Sequence, residues 1–157
     1  MAESSLITRE LRELIDVTLE TIVFKVEEGA IQRYAKAIGD LNPLFNEPDF
    51  ASKTKYGRLL APPGFTGWPV KAGWDMFKLV ESLVKAGAPS RLLDGGVGFE
   101  FLEPVGAGDV LTATTKIADM TERETKLGKT IFTTLETTFV NQKGNVALKS
   151  RSTLIMF

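Results

Sequence analysis

The sequence predicts an α+β domain, a curved antiparallel β-sheet wrapped around one long central helix. Two observations carry that prediction. Four successive segments in the second half of the 157-residue chain alternate apolar and polar residues, the period of strands with a single buried face. Ahead of them runs one helical stripe long enough to cover such a face. The length suits one domain, 1–157, and neither an internal repeat nor a low-complexity linker divides it.

Residues 6–17 read as a short helical or irregular lead-in segment. In "TLETIVFKV", Ile22, Phe24 and Val26 alternate as a first strand. Ile31, Tyr34, Ala35 and Ile38 then follow i, i+3, i+4, i+7 spacing, so a helix runs to about Ile38 and Gly39 ends it. A loop with a short helical turn follows, from Asp40 to about Tyr56. Pro62 and Pro63 mark the start of the next unit, because proline is tolerated only in a helix's first turn, and Pro69 delays the regular helix. Met76, Leu79, Val80, Leu83 and Val84 form its stripe, closed by Gly87 and Pro89. The four strands follow. Val97, Phe99 and Phe101 alternate in the first, and Leu111, Ala113, Thr115 and Ile117 in the second. Ile131 to Phe139 alternate in the third, and Val146 to Met156 in the fourth. Turn signals separate them at "GAGD", "ERETKLGK" and "NQKGN". A curved antiparallel sheet around one long helix is the hot-dog architecture.

Composition excludes much chemistry. A net charge of -1 gives no basic field for nucleic acid or an anionic membrane. With no Cys and no His, thiolate nucleophiles, Ser-His triads, Cys/His zinc sites and Cys-bound iron–sulfur clusters are all ruled out within the chain. No D-x-D-x-D-G spacing suggests a calcium loop, so no metal or cofactor is expected. The opening "MAESSLITRELREL" is too charged for a signal peptide and no apolar stretch is long enough to span a bilayer, so the expected location is cytoplasmic.

The stretch "GDLNPLFNEPDF" carries the functional question. By composition, Asp40 followed by Asn42 and Pro43 makes a turn after a Gly-capped helix. Yet "YAKAIGDLNPLFNEPDFASKTKYGRLLAPPGF" and "GFEFLEPVGAGDVLTATTKIADMTERETKLGKTIFTTLETTFVNQKGNVALKSRSTLI" together resemble the N-terminal MaoC-like, FAS1-like dehydratase family. The two blocks agree in order and spacing, and the resemblance runs from about residue 6 to the end.

That resemblance implies a hot-dog protein acting on acyl thioesters, usually acyl-CoA, as an (R)-specific enoyl-CoA hydratase or 3-hydroxyacyl dehydratase. The family's motif is D-x-N-P-x-H, in which Asp and His hold and deprotonate water and Asn supports the loop. Asp40, Asn42 and Pro43 match it; Phe45 stands at the His position. Gly64 matches the glycine whose backbone N–H polarises the thioester carbonyl, allowing one inserted residue, and Pro63 stands where many relatives have His. Phe cannot accept, donate or titrate, and general acid–base help is typically worth about 10²–10⁴-fold. The resemblance therefore implies a hydratase subunit with an incomplete motif, which shapes the acyl pocket beside a His-bearing second MaoC-like chain. Two alternatives stay open: a self-sufficient homodimeric hydratase using Asp40, and a non-catalytic acyl-thioester binding protein. The thioester is one of CoA or of an acyl carrier protein.

Other residues have two readings each. Gly64 either permits the turn into the helix or presents an N–H at its start. Phe65, Trp68 and Trp74 either line a pocket, together with Phe45, Tyr56 and Pro63, or pack in a core or dimer interface. Asp75 and Glu81 are either a solvated helix face or the carboxylates of a thioesterase. Lys149 and Arg151 either meet CoA phosphates or are ordinary exposed bases on a strand.

Overall fold

The computed structural model describes residues 5–65 and 76–157. Helix α1 (Arg9–Glu13) begins at Thr8, whose Oγ1 accepts the Leu11 N–H and donates to the Ala86 carbonyl. That one hydroxyl caps a helix and ties it to a segment 78 residues away. Strand β1 (Thr18–Lys25) leads into α2 (Glu28–Ala37), which buries Ala30, Ile31 and Ala35. Two short helices follow, α3 (Pro43–Asn46) and α4 (Pro48–Ser52), each with proline in its first turn. Helix α5 (Met76–Lys85) precedes four strands: β2 (Leu92–Phe101), β3 (Val110–Thr125), β4 (Gly128–Asn141) and β5 (Val146–Met156).

All five strands form one antiparallel sheet in the order β1-β3-β4-β5-β2. The expected alternation holds in β3, where Leu111, Ala113, Thr115 and Ile117 are buried between half-buried neighbours. In β4 it holds at Ile131, Thr133, Leu135 and Phe139. The β3–β4 strands continue through the charged "ERET" run to pair Thr125 with Gly128, so the turn is tighter than its composition suggests.

The helical covering of that face is shared. Leu79 and Leu83 of α5 pack with Leu11 of α1 against Ile117, Ile131, Leu135 and Met156. At the other end of the sheet, Ile31 of α2 and Phe65 pack against Phe24, Leu111, Phe139 and Leu148. A single long helix is thus not the whole cover: α1 and α2 are amphipathic too, and each takes part of the sheet. The first half of the expected central unit, with Trp68, Pro69, Trp74 and Asp75, lies outside the described residues.

Strand β2 departs from the expectation of one buried face. Every one of its residues is exposed, including Val97, Phe99 and Phe101, whose period-two spacing is that of a covered strand. It is an edge strand paired only to β5, and no described element lies over it. Phe99 and Phe101 stack on each other, with ring centroids 5.9 Å apart.

Candidate functional site

Helix α2 ends where the sequence requires: Gly39 has φ +73, and the Asp40 N–H returns to the Ala35 carbonyl at 2.9 Å. The Asp40 carboxylate then accepts the Asn42 N–H at 3.0 Å, and the Asn42 side chain accepts the Leu44 N–H at 3.0 Å, capping α3. The Asn46 amide donates to the carbonyls of both Asp40 and Asn42, at 2.9 and 3.0 Å. Asp40 and Asn42 therefore both build the turn through their side chains. Asp40 is half-buried and Asn42 exposed, and neither lines the cavities described below.

The turn presents Phe45 to an apolar groove of about 380 Å³. Pro63 and Phe65 line it as well, opposite Phe101, Leu102 and Val105. Its floor is laced by backbone bonds: Leu60 N–H to the Leu44 carbonyl, Ala61 N–H to Val105, and Ala107 N–H to Leu59. The structure thus brings three of the sequence-predicted pocket residues, Phe45, Pro63 and Phe65, onto one apolar surface. Phe65 is buried, packed edge-to-face on Tyr34 at 5.5 Å.

Gly64, between the lining residues Pro63 and Phe65, has φ +88, a conformation that side-chain-bearing residues rarely adopt. A Cβ there would come within 2.7 Å of the Tyr34 hydroxyl oxygen. Glycine is required on both counts, and the Gly64 N–H has no acceptor among the described residues.

Tyr56 lies elsewhere, in a polar pocket of about 240 Å³ that adjoins the groove through Leu60, Glu103 and Pro104. Its wall is held by Asp109. Arg58 donates to both of that carboxylate's oxygens at 2.7 Å, the Gln142 amide donates at 2.9 Å and the Gly106 N–H at 2.9 Å. Burial would push the Asp109 carboxyl up. The hydrogen bonds from Arg58, Gln142 and Gly106, with the charge of Arg58, outweigh it and hold the group below its ordinary value. Arg58, Asp109 and Tyr34 carry structural roles that spacing does not display; the "GAGD" signal marked Asp109 only as a turn residue. Among the described residues no three or more Asp and Glu side chains group to hold a metal ion, and no helix is long and apolar enough to cross a membrane.

Of the remaining candidates, Trp68 lies outside the described residues, and Glu81 forms an i,i+4 ion pair with Lys85 on α5. Arg151 pairs with Glu136 across neighbouring strands. Neither it nor Lys149 lines the groove or the polar pocket.

The five-stranded antiparallel sheet with its helical cover is a hot-dog fold of the dehydratase type. The sequence profile of the FAS1-like dehydratase domain region matches residues 13–150, and the chain belongs to that family. A UPF0336 protein of Streptomyces avermitilis is 33% identical over 95 residues, covering 60% of this chain and 61% of that protein. One from Parafrankia is 30% identical over 138 residues, covering 84% and 87%. The match thus spans less than two thirds of the Streptomyces relative's own length. Among solved structures, a MaoC-like dehydratase superposes with a TM-score of 0.74 at 21% identity, over 98% of this chain and 43% of the other. The ChsH1–ChsH2 complex from Mycobacterium tuberculosis gives 0.72 at 15% identity, over 89% and 84%. The R-hydratase PhaJ1 from Pseudomonas aeruginosa gives 0.62 at 17%, over 89% and 79%. At these identities the structures speak to the fold.

Proposed function

We propose that this chain is an acyl-thioester hydratase/dehydratase subunit whose own motif is incomplete, and that it shapes the acyl pocket of an assembly in which a second hot-dog chain supplies the imidazole. One observation carries the reading. The phenyl ring of Phe45, at the motif's histidine position, lines the apolar groove, and the chain has no histidine anywhere. Asp40 spends a carboxylate oxygen on its own turn, which is the behaviour of a positioning group more than of a base facing a water.

The apolar face of β2, over which no described element lies, supports the partner. Phe101 and the following Leu102 line the groove while remaining about half exposed, and Val97 and Phe99 continue the apolar surface along the strand. A second hot-dog unit seated on β2 closes the groove and removes those side chains from water. The ChsH1–ChsH2 neighbour is a complex of two differently named chains, a precedent for that arrangement.

The test is enoyl-CoA hydration by the purified chain alone and after co-expression with MaoC-like chains that carry an intact D-x-N-P-x-H. The reading expects background turnover alone and activity only in a complex. Robust turnover by the lone chain, lost on Asp40→Ala, would overturn it in favour of a self-sufficient enzyme.

A further inference from the structure

Two hydrogen-bond donors beside the groove's lining residues have no acceptor among the described residues. One is a backbone amide in the segment 61–65. Pro62 and Pro63 carry no N–H, the Ala61 N–H goes to the Val105 carbonyl at 2.8 Å, and the Phe65 N–H goes to the Pro62 carbonyl at 3.0 Å. Only the Gly64 N–H is left over. The other donor is the hydroxyl of Tyr34, on α2. Its half-buried ring is held edge-to-face on Phe65 at 5.5 Å and packs against the core cluster of Ile31 and Phe139, while the hydroxyl itself bonds to nothing described. The two donors are neighbours. A Cβ on Gly64 would lie 2.7 Å from the Tyr34 oxygen, which puts that oxygen within about 5 Å of the Gly64 nitrogen. One acceptor oxygen at an ordinary distance of about 2.8–3.0 Å reaches both donors across such a gap. The missing side chain of Gly64 is what lets the hydroxyl come so close to the main chain.

Phe45, Pro63 and Phe65 offer a ligand in the groove apolar contact and no side-chain hydrogen bond. The donor pair beside them therefore favours a ligand whose apolar chain ends in an acceptor oxygen. We propose that the Tyr34 hydroxyl donates to the carbonyl oxygen of the bound acyl thioester, as a second donor beside the Gly64 N–H. The assignment rests on the acyl-thioester reading above and adds a residue to it, since nothing in the D-x-N-P-x-H motif or in the glycine match points to a tyrosine on α2. It gives the close approach of Tyr34 to Gly64 a role in ligand recognition: the ring's packing on Phe65 fixes the hydroxyl in place before the ligand arrives.

The test compares octanoyl-CoA with S-octyl-CoA, a thioether that lacks only the carbonyl oxygen, by calorimetric titration of the full chain. The parent should prefer the thioester. Tyr34→Phe keeps the ring and its packing, and it should weaken octanoyl-CoA binding about fivefold, the scale of one neutral hydrogen bond, while leaving S-octyl-CoA unchanged. The infrared carbonyl band of octanoyl-CoA labelled with ¹³C at that carbon gives a readout that lost packing would not move. It should shift to lower frequency on binding to the parent, and less on binding to Tyr34→Phe. A parent that binds both probes equally, a Tyr34→Phe variant that weakens both or neither, or a band shift that survives the substitution overturns the assignment and leaves the thioester reading standing. Binding of neither probe to the parent overturns both.

Discussion

The guanidinium of Arg58 grips both oxygens of the Asp109 carboxylate at 2.7 Å, joining the segment before the groove to the turn that starts β3. The carboxylate is buried and also accepts the Gly106 N–H and the Gln142 amide, while the Arg58 guanidinium donates in addition to the Ala107 carbonyl. This one group ties together two other residues that line the polar pocket, Arg58 and Gln142.

Asp109→Ala should therefore cost about 2–4 kcal/mol, because it leaves a half-buried guanidinium and a Gly106 N–H without their acceptor. The same group predicts a pH dependence. Its folded pKa is depressed, so its charged form stabilises the fold at all pH above the unfolded value, and that stability is lost as pH falls through the folded value. Thermal unfolding should show a melting temperature that falls below about pH 4, and the Asp109→Asn variant should fall less steeply.

Thr133 presents the opposite case. Its hydroxyl oxygen is buried in the sheet's covered face without a hydrogen-bond partner among the described residues. Threonine and valine share a shape, so Thr133→Val removes the desolvated group without opening a cavity. It should stabilise the chain by about 1 kcal/mol, seen as a rise of about 2–4 °C in melting temperature. A destabilised variant would mean that the hydroxyl finds a partner in solution.

Gly64 and Tyr34 should be coupled. Gly64→Ala meets two penalties, a strained φ of +88 and a contact at 2.7 Å with the Tyr34 oxygen. The nearest carbon of that ring system stands at 3.9 Å, an ordinary contact. Tyr34→Phe should thus relieve the clash but not the backbone strain. In a double-mutant cycle by chemical denaturation, Gly64→Ala should cost about 2–3 kcal/mol alone and about 1 kcal/mol in the Tyr34→Phe background. Equal costs in both backgrounds would show that the tyrosine swings aside.

What the sequence made legible follows from which physics is local. The alternation of Leu111, Ala113, Thr115 and Ile117 is a local consequence of the pleat, and the structure buries those four side chains. Gly39 marks a left-handed helix stop in the same way, and the structure has it. The grip of Arg58 on Asp109 joins residues 51 apart, and no periodicity announces it. Strand β2 shows the limit from the other side. Its pattern is that of a covered strand, but what covers it is not among the described residues, so the pattern records an environment beyond the chain's described surface. In the loop, a D-x-N-P spacing suits both a turn and a hydratase motif. The hydrogen bonds show Asp40 and Asn42 serving the turn, while the ring of Phe45 reaches the groove.

Strand β2 yields a direct prediction. Phe99→Glu places a charge on an apolar ridge that no described element covers, at a residue outside both core clusters. The variant should keep the parent's melting temperature within about 1 °C when both are monomeric, since exposed substitutions away from packed sites shift stability little. Sedimentation or gel filtration should show it failing to form whatever dimer or mixed complex the parent forms. A partner that still assembles with Phe99→Glu docks elsewhere.

The last prediction addresses the missing base itself. Phe45→His restores the motif's residue at a position that already lines the groove, and the half-buried ring it replaces contributes apolar contact that imidazole only partly supplies. The variant should lose about 1 kcal/mol of stability and still fold. If histidine is what the chain lacks, the lone variant should hydrate an enoyl-CoA measurably above the parent, with a rate that rises through the imidazole's titration near pH 6–7. Asp40→Asn in that background should remove the gain while leaving the turn in place, because the asparagine side-chain oxygen can still accept the Asn42 N–H. A folded Phe45→His chain with no gain would mean that the turn holds the Asp40 carboxylate too far from the groove, and that the imidazole must come from a partner with its own aspartate beside it.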